Sequence, residues 1–183
     1  MNFPWVGGRR CLDFAGTLKH RGTPEEQELL TDPRALSNWA VEGRLLDAAV
    51  VVSDDDLVTA FALRDGIYRT VTARLERRRP RVMDVKLLNE LAGEPQLARR
   101  LLRNGSVRRE GTASHLIASL AADLLDLFAG PDIDNVKCCG YPHCTLFYVD
   151  ASRGKNRHWC GMSTCGNRAK VKAFRARQRA AAT

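Results

Sequence analysis

Residues 138–179 read CCGYPHCTLFYVDASRGKNRHWCGMSTCGNRAKVKAFRARQR. Cys139 and Cys144 are separated by four residues, fifteen follow, and Cys160 and Cys165 are again separated by four. A tetrahedral four-thiolate zinc site needs this pattern: each pair sits on a tight turn, and the loop brings the two turns together. Five of the six cysteines lie in this stretch, and the opening MNFPWVGGRRCLDF lacks the apolar core of a secretory signal. The expected compartment is therefore the reducing cytoplasm, where clustered cysteines point to metal before disulfides. Cys138 competes with Cys139 as first ligand, and the equal spacing of the two pairs favours Cys139. His143 and His158 adjoin ligand cysteines and are alternatives to one of them, although four well-spaced cysteines leave both a supporting or surface role. Cys11 reads as a small buried hydrophobe.

Between the pairs, Leu146 to Val149 is strand-prone, Ala151 to Asn156 has turn chemistry, and Arg157-His158-Trp159 reads as a returning strand. The expectation is a β-hairpin in a small zinc-ribbon or treble-clef-like module, with Tyr148 and Trp159 covering the metal. Zinc supplies most of the folding energy of so small a unit. Asn167 to Arg179 contains no proline or glycine and reads as a helix. Arg168, Lys172, Arg175 and Arg179 recur at intervals of four, three and four, placing four cations in one stripe. Lys170 and Arg177 are expected to widen the basic face, and Val171 and Phe174 to dock the helix on the hairpin.

The chain has 183 residues and a formal net charge of +8. Residues 1–136 hold 19 cationic and 20 acidic side chains, whereas residues 137–183 hold ten cations and one acid, Asp150. The surplus thus belongs to the last quarter, and such asymmetry implies a polyanionic partner, nucleic acid ahead of membrane. A basic helix rooted on a metal knuckle suits duplex DNA, with arginine able to read guanine or neutralise phosphate. Arg153, Lys155 and Arg157 add cations from the hairpin. Arg168 has a second reading, as a hydrogen-bonding partner of the knuckle or of Asp150.

The stretch Cys139 to Arg177 resembles the CGNR zinc finger, named for the motif found here at Cys165-Gly166-Asn167-Arg168. The shared features include the paired cysteines, Asp150 and Ser152, Arg157 and Trp159-Cys160, and Asn167 to Lys170. Such proteins carry an N-terminal helical ABATE domain, described as a stress-induced transcription regulator. Cys11-Leu12-Asp13-Phe14-Ala15-Gly16-Thr17 resembles that domain's opening motif, with Gly16 where the family carries asparagine. The resemblance implies a bacterial, DNA-binding transcription factor. Together with the two-part layout it motivates a ligand pocket near Asp13, Phe14, Thr17 and His20, open to a small-molecule effector.

The rest of the chain reads as helical. Thr23-Pro24-Glu25-Glu26 and Asp32-Pro33 both look like helix starts, the second running through Leu36, Trp39 and Ala40 to Gly43. Ser53 and the acids Asp54 to Asp56 open the longest helix, with Leu57, Phe61, Tyr68, Val71 and Leu75 on one face and Arg64 inside it, either a buried carboxylate partner, the favoured reading, or a ligand contact. Arg77 to Arg81 ends it, and a shorter helix with Leu87, Leu88 and Leu91 follows Asp84. Gln96 to Arg109 is ambiguous, with a hairpin signal at Asn104-Gly105, and helix returns from Ala113 to Phe128. Gly130-Pro131 marks the boundary between a helical domain at 1–130 and the zinc module at 137–183, giving a mainly α architecture. No run is long and apolar enough to span a membrane. With sulfurs claimed by zinc and no phosphate loop or nucleophile elbow, catalysis is not expected. The competing function is a zinc-stabilised module that binds an acidic protein. A two-fold homodimer reading two half-sites fits so small a DNA-binding unit.

Overall fold

A computed structural model describes residues 3–181. Helix α1 spans Arg10–Ala15, α2 Pro33–Glu42, α3 Asp54–Leu75, α4 Val82–Ala92 and α5 Ala113–Ala129. Side-chain caps start three of them. Asp32 accepts from the Ala35 N–H at 2.8 Å, while Ser53 with Asp56 and Thr112 with His115 form reciprocal capping boxes. Helices α1, α4 and α5 all pack on α3, around Leu12, Phe14, Leu36, Trp39, Leu63, Ile67, Leu116, Leu120 and Leu124.

Packing on several sides shifts the buried face of α3 from the expected stripe. Ala60, Leu63, Ile67 and Val71 are buried, Leu57, Phe61 and Tyr68 are half-buried beside them, and Leu75 is exposed. Arg64 is buried, and both its terminal nitrogens donate to the Glu28 carboxylate at 2.6 Å, as its place inside the stripe implied. Glu28 comes from a segment where the expected helix does not form. Thr23 to Glu26 instead turns between two short antiparallel strands, β1 (Leu18–Lys19) and β2 (Gln27–Glu28). The Thr23 hydroxyl donates to the His20 carbonyl, and the Glu26 N–H to the Thr23 carbonyl. The segment has too few apolar residues before Asp32-Pro33 to bury a helical face.

The ambiguous stretch forms an antiparallel arm, β3 (Ala98–Leu101) and β4 (Val107–Glu110), turning near Gly105 at φ +80°. After a 3-10 turn at Pro131–Asn135, β5 (Val136–Cys138) pairs antiparallel with β6 (Phe147–Val149). A π-turn at Met162–Gly166 leads into α6, Asn167–Ala181. The zinc-module hairpin is therefore β5–β6, closing over the first cysteine pair, and Arg157 to Trp159 is not a strand. That segment is held by single contacts: the Gly140 N–H donates to the His158 carbonyl, and the Tyr148 hydroxyl to the Arg157 carbonyl. Among the described residues no helix is long and apolar enough to cross a membrane.

Candidate metal centre and basic helix

Cys139 follows β5 directly, Cys144 precedes β6, Cys160 ends the extended segment, and Cys165 lies in the π-turn that opens α6. All four are buried, and their sulfurs lie within 4.8 Å of one another. The sulfurs of Cys144 and Cys160 are 3.9 Å apart and those of Cys160 and Cys165 3.6 Å. A tetrahedron with Zn–S bonds of about 2.3 Å spaces its sulfurs by about 3.8 Å, so the donor set fits one structural zinc ion. The Cys160 N–H also donates to the Cys139 sulfur at 3.3 Å, as backbone amides commonly do to bound thiolates. Without metal, hydrogen bonds from Cys144 and Cys160 push the Cys139 thiol down. The proton shared with Cys139 holds Cys144 above its ordinary value and pushes Cys160 up to about 12. The four sulfurs would give up those protons on holding a zinc ion.

Cys138 stands exposed on β5 and outside the cluster, so the buried four-sulfur group contains Cys139 and not Cys138. His143 turns away, its Nδ1 donating to Glu25 at 2.6 Å, and His158 is exposed. Tyr148 is fully buried against the cysteines, and Trp159 packs half-buried beside it. Asp150, also buried, organises the loop between the pairs. Its carboxylate accepts from Lys137 Nζ at 2.7 Å, the Ser152 hydroxyl at 2.6 Å and the Arg157 N–H at 2.9 Å. Burial raises its pKa, but these donors outweigh burial and hold the carboxyl well below the usual range.

The cations expected to face DNA divide into two sets. Arg157 belongs to the knuckle: its guanidinium stacks 4.2 Å from the Tyr148 ring and donates to the Trp159 and Cys160 carbonyls. Lys155 donates to the Asp150 carbonyl at 2.9 Å, and Arg153 is exposed. On α6, Arg168, Lys172, Arg175 and Arg179 are exposed and line one groove of about 710 Å³ with Tyr141, Ser163 and Thr164. Lys170 and Arg177 do not widen that stripe. They fall two and nine residues after Arg168, near the opposite side of a helix with 3.6 residues per turn. Val171 and Phe174 are 47% and 55% exposed, so they do not dock α6 on the hairpin. Arg168 does not pair with Asp150, whose carboxylate is taken by Lys137, Ser152 and Arg157.

Of the residues expected to form a pocket, Asp13, Phe14 and Thr17 are committed to the core. Phe14 is fully buried with its ring centroid 5.1 Å from that of Trp39, and the Thr17 hydroxyl donates to the Phe14 carbonyl at 2.7 Å. Asp13 accepts from the Gly7 N–H at 2.8 Å and meets Arg10 at 3.3 Å. His20 lies apart from them, donating from Nδ1 to the His143 carbonyl at 2.7 Å on the zinc module. Cys11 is buried as expected, and burial pushes its thiol up.

The sequence did not disclose how the two halves meet. Phe147 and Val136 lie in the same core as α1, α3 and α5, and the Phe147 ring sits 5.0 Å from Tyr68. The Val149 N–H donates to the Gly7 carbonyl at 2.8 Å. At Gly16 an added Cβ would come within 2.8 Å of the Leu146 side chain, so glycine there admits the zinc module at close range.

Two protein-family models match the chain. The ABATE model, described as "Putative stress-induced transcription regulator", matches residues 8–131, and the CGNR zinc finger model matches residues 135–178. No curated protein matches the sequence. Since the first model spans most of the chain and the second takes in the whole cysteine cluster, the chain belongs to the ABATE family and carries a CGNR zinc finger.

Proposed function

We propose that this chain is a cytoplasmic DNA-binding transcription regulator, in which zinc fixes the root of α6 and α6 carries its cations to duplex DNA. One observation carries the reading. The helix begins two residues after a zinc ligand, is exposed from Lys170 to Arg179, and contains no acid. Its stripe of Arg168, Lys172, Arg175 and Arg179 extends over about 16 Å, at 1.5 Å per residue. A polyanion neutralises that stripe and releases the counterions of its own phosphates. The closed four-thiolate set leaves no open metal position for a reacting water, which supports a binding role over a catalytic one.

Competition tests the choice of partner. Zinc-loaded protein is bound to a fluorescent duplex and challenged with unlabelled duplex or with polyglutamate at equal charge. Duplex is expected to displace the probe at far lower concentration. Displacement by both at equal charge concentration would favour an acidic protein as partner.

A further inference from the structure

The arm formed by β3 and β4 is not accounted for by the core. All four residues of β3 are exposed, as are Val107 and Arg108 on β4, and Leu101 near the tip is 74% exposed. The register sets Arg99 opposite Arg109 and Arg100 opposite Arg108. Like charges directly opposite one another destabilise a strand pair, and this ribbon carries one such pair on each face. Two of the four arginines find acids: Arg109 meets Asp47 at 3.2 Å and Arg100 meets Glu110 at 3.4 Å. Arg99, Arg108 and Arg103 in the turn make no ion pair among the described residues.

The base of the arm is anchored. The Leu97 N–H donates to the Ser119 hydroxyl at 2.9 Å, and the Arg109 N–H to Asp47 at 2.8 Å. Arg99 and Arg109 also line a cleft of about 440 Å³ with Arg10 and Arg44, which extends the positive surface. The acids on that wall are Asp123, bonded by Arg9 and the Cys11 N–H, and Asp126. The arm is thus a held ribbon, open to solvent on both faces, whose charge pattern works against its own pairing.

We propose that the β3–β4 arm is a second contact to duplex DNA, with Arg99, Arg103 and Arg108 neutralising phosphates. A two-stranded ribbon fits the major groove, and phosphates beside it would cancel the repulsion that the free protein carries. Local rules broken without a compensating packing gain are where function is expected. The inference rests on the DNA-binding reading of α6 and adds a site on the opposite domain.

The test uses the full-length, zinc-loaded chain, a random duplex of about 30 base pairs and a potassium chloride series from about 50 to 300 mM. Three variants are compared with the unaltered protein: Arg99→Ala/Arg103→Ala/Arg108→Ala, the same positions changed to lysine, and a quadruple alanine variant of the α6 stripe. The alanine arm variant is expected to bind at least tenfold more weakly at low salt. Its log–log salt slope should be shallower by about 3, at about 0.9 for each phosphate left without its cation. Its melting temperature should equal or exceed that of the unaltered protein, because repulsion is removed. The lysine variant should keep the slope. An alanine arm variant with unchanged slope and affinity, beside an α6 variant that binds weakly, would overturn the arm and leave the α6 reading intact. Weakened binding accompanied by a lowered melting temperature would also overturn it, as a structural effect. No binding by the unaltered protein would remove both.

Discussion

Asp13 shows how a single buried carboxylate shapes stability. Burial raises its pKa to about 6, and the Gly7 N–H and Arg10 pull the other way without winning. The folded pKa thus exceeds the ordinary carboxylate value, and the native state takes up this proton before the unfolded chain does. The group costs stability above pH 6, and that cost is relieved as pH falls toward 4. Unfolding followed by denaturant should therefore show the unaltered protein gaining on Asp13→Asn by up to about 1.4 kcal/mol per pH unit in that window. A pH-independent difference would show that Asp13 is not held at a raised pKa. The cysteines allow a second comparison. Cys165→Ser should abolish stoichiometric zinc by elemental analysis, and Cys138→Ser should retain it. The four ligands were legible because thiolate spacing is a local constraint. Asp13 was not, because nothing in CLDFAGT shows that its carboxylate caps Gly7.

Strand β6 bridges the two halves of the chain through Phe147, which is buried on Tyr68 of α3 while the adjacent Tyr148 faces the cysteines. Alternation along a strand puts neighbouring side chains on opposite faces, so three residues serve the helical core and the zinc cluster at once. Phe147→Ala should cost about 3 to 5 kcal/mol, the range for deleting a buried aromatic ring. The urea midpoint should fall for the helical domain's signal as well as for zinc retention. A shift confined to zinc retention would mean that β6 does not couple the halves. The sequence marked Leu146 to Val149 as strand-prone but not its partner: Val136 to Cys138 is too short to show a period. At Thr23-Pro24 the cap signal was real chemistry in the wrong element, since the same hydroxyl that caps helices also closes turns. Asp32, Ser53 and Thr112 start helices because apolar periodicity follows each of them.

Two exposed projections of the molecule carry clustered positive charge, α6 beyond the zinc cluster and the β3–β4 arm on the helical domain. Charge asymmetry along the sequence disclosed the first. It hid the second, because acids elsewhere in residues 1–136 bring that region's net charge close to zero. The most direct test of α6 as the DNA-contacting element is the salt dependence of duplex binding by the zinc-loaded chain, alongside Arg168→Ala/Lys172→Ala/Arg175→Ala/Arg179→Ala. The affinity of the unaltered protein is expected to fall with salt at a log–log slope of about −4 or steeper. The quadruple variant should lose close to four units of that slope and most of its affinity at low salt. Equal slopes and equal affinities for the two proteins would contradict a DNA-contacting role for α6.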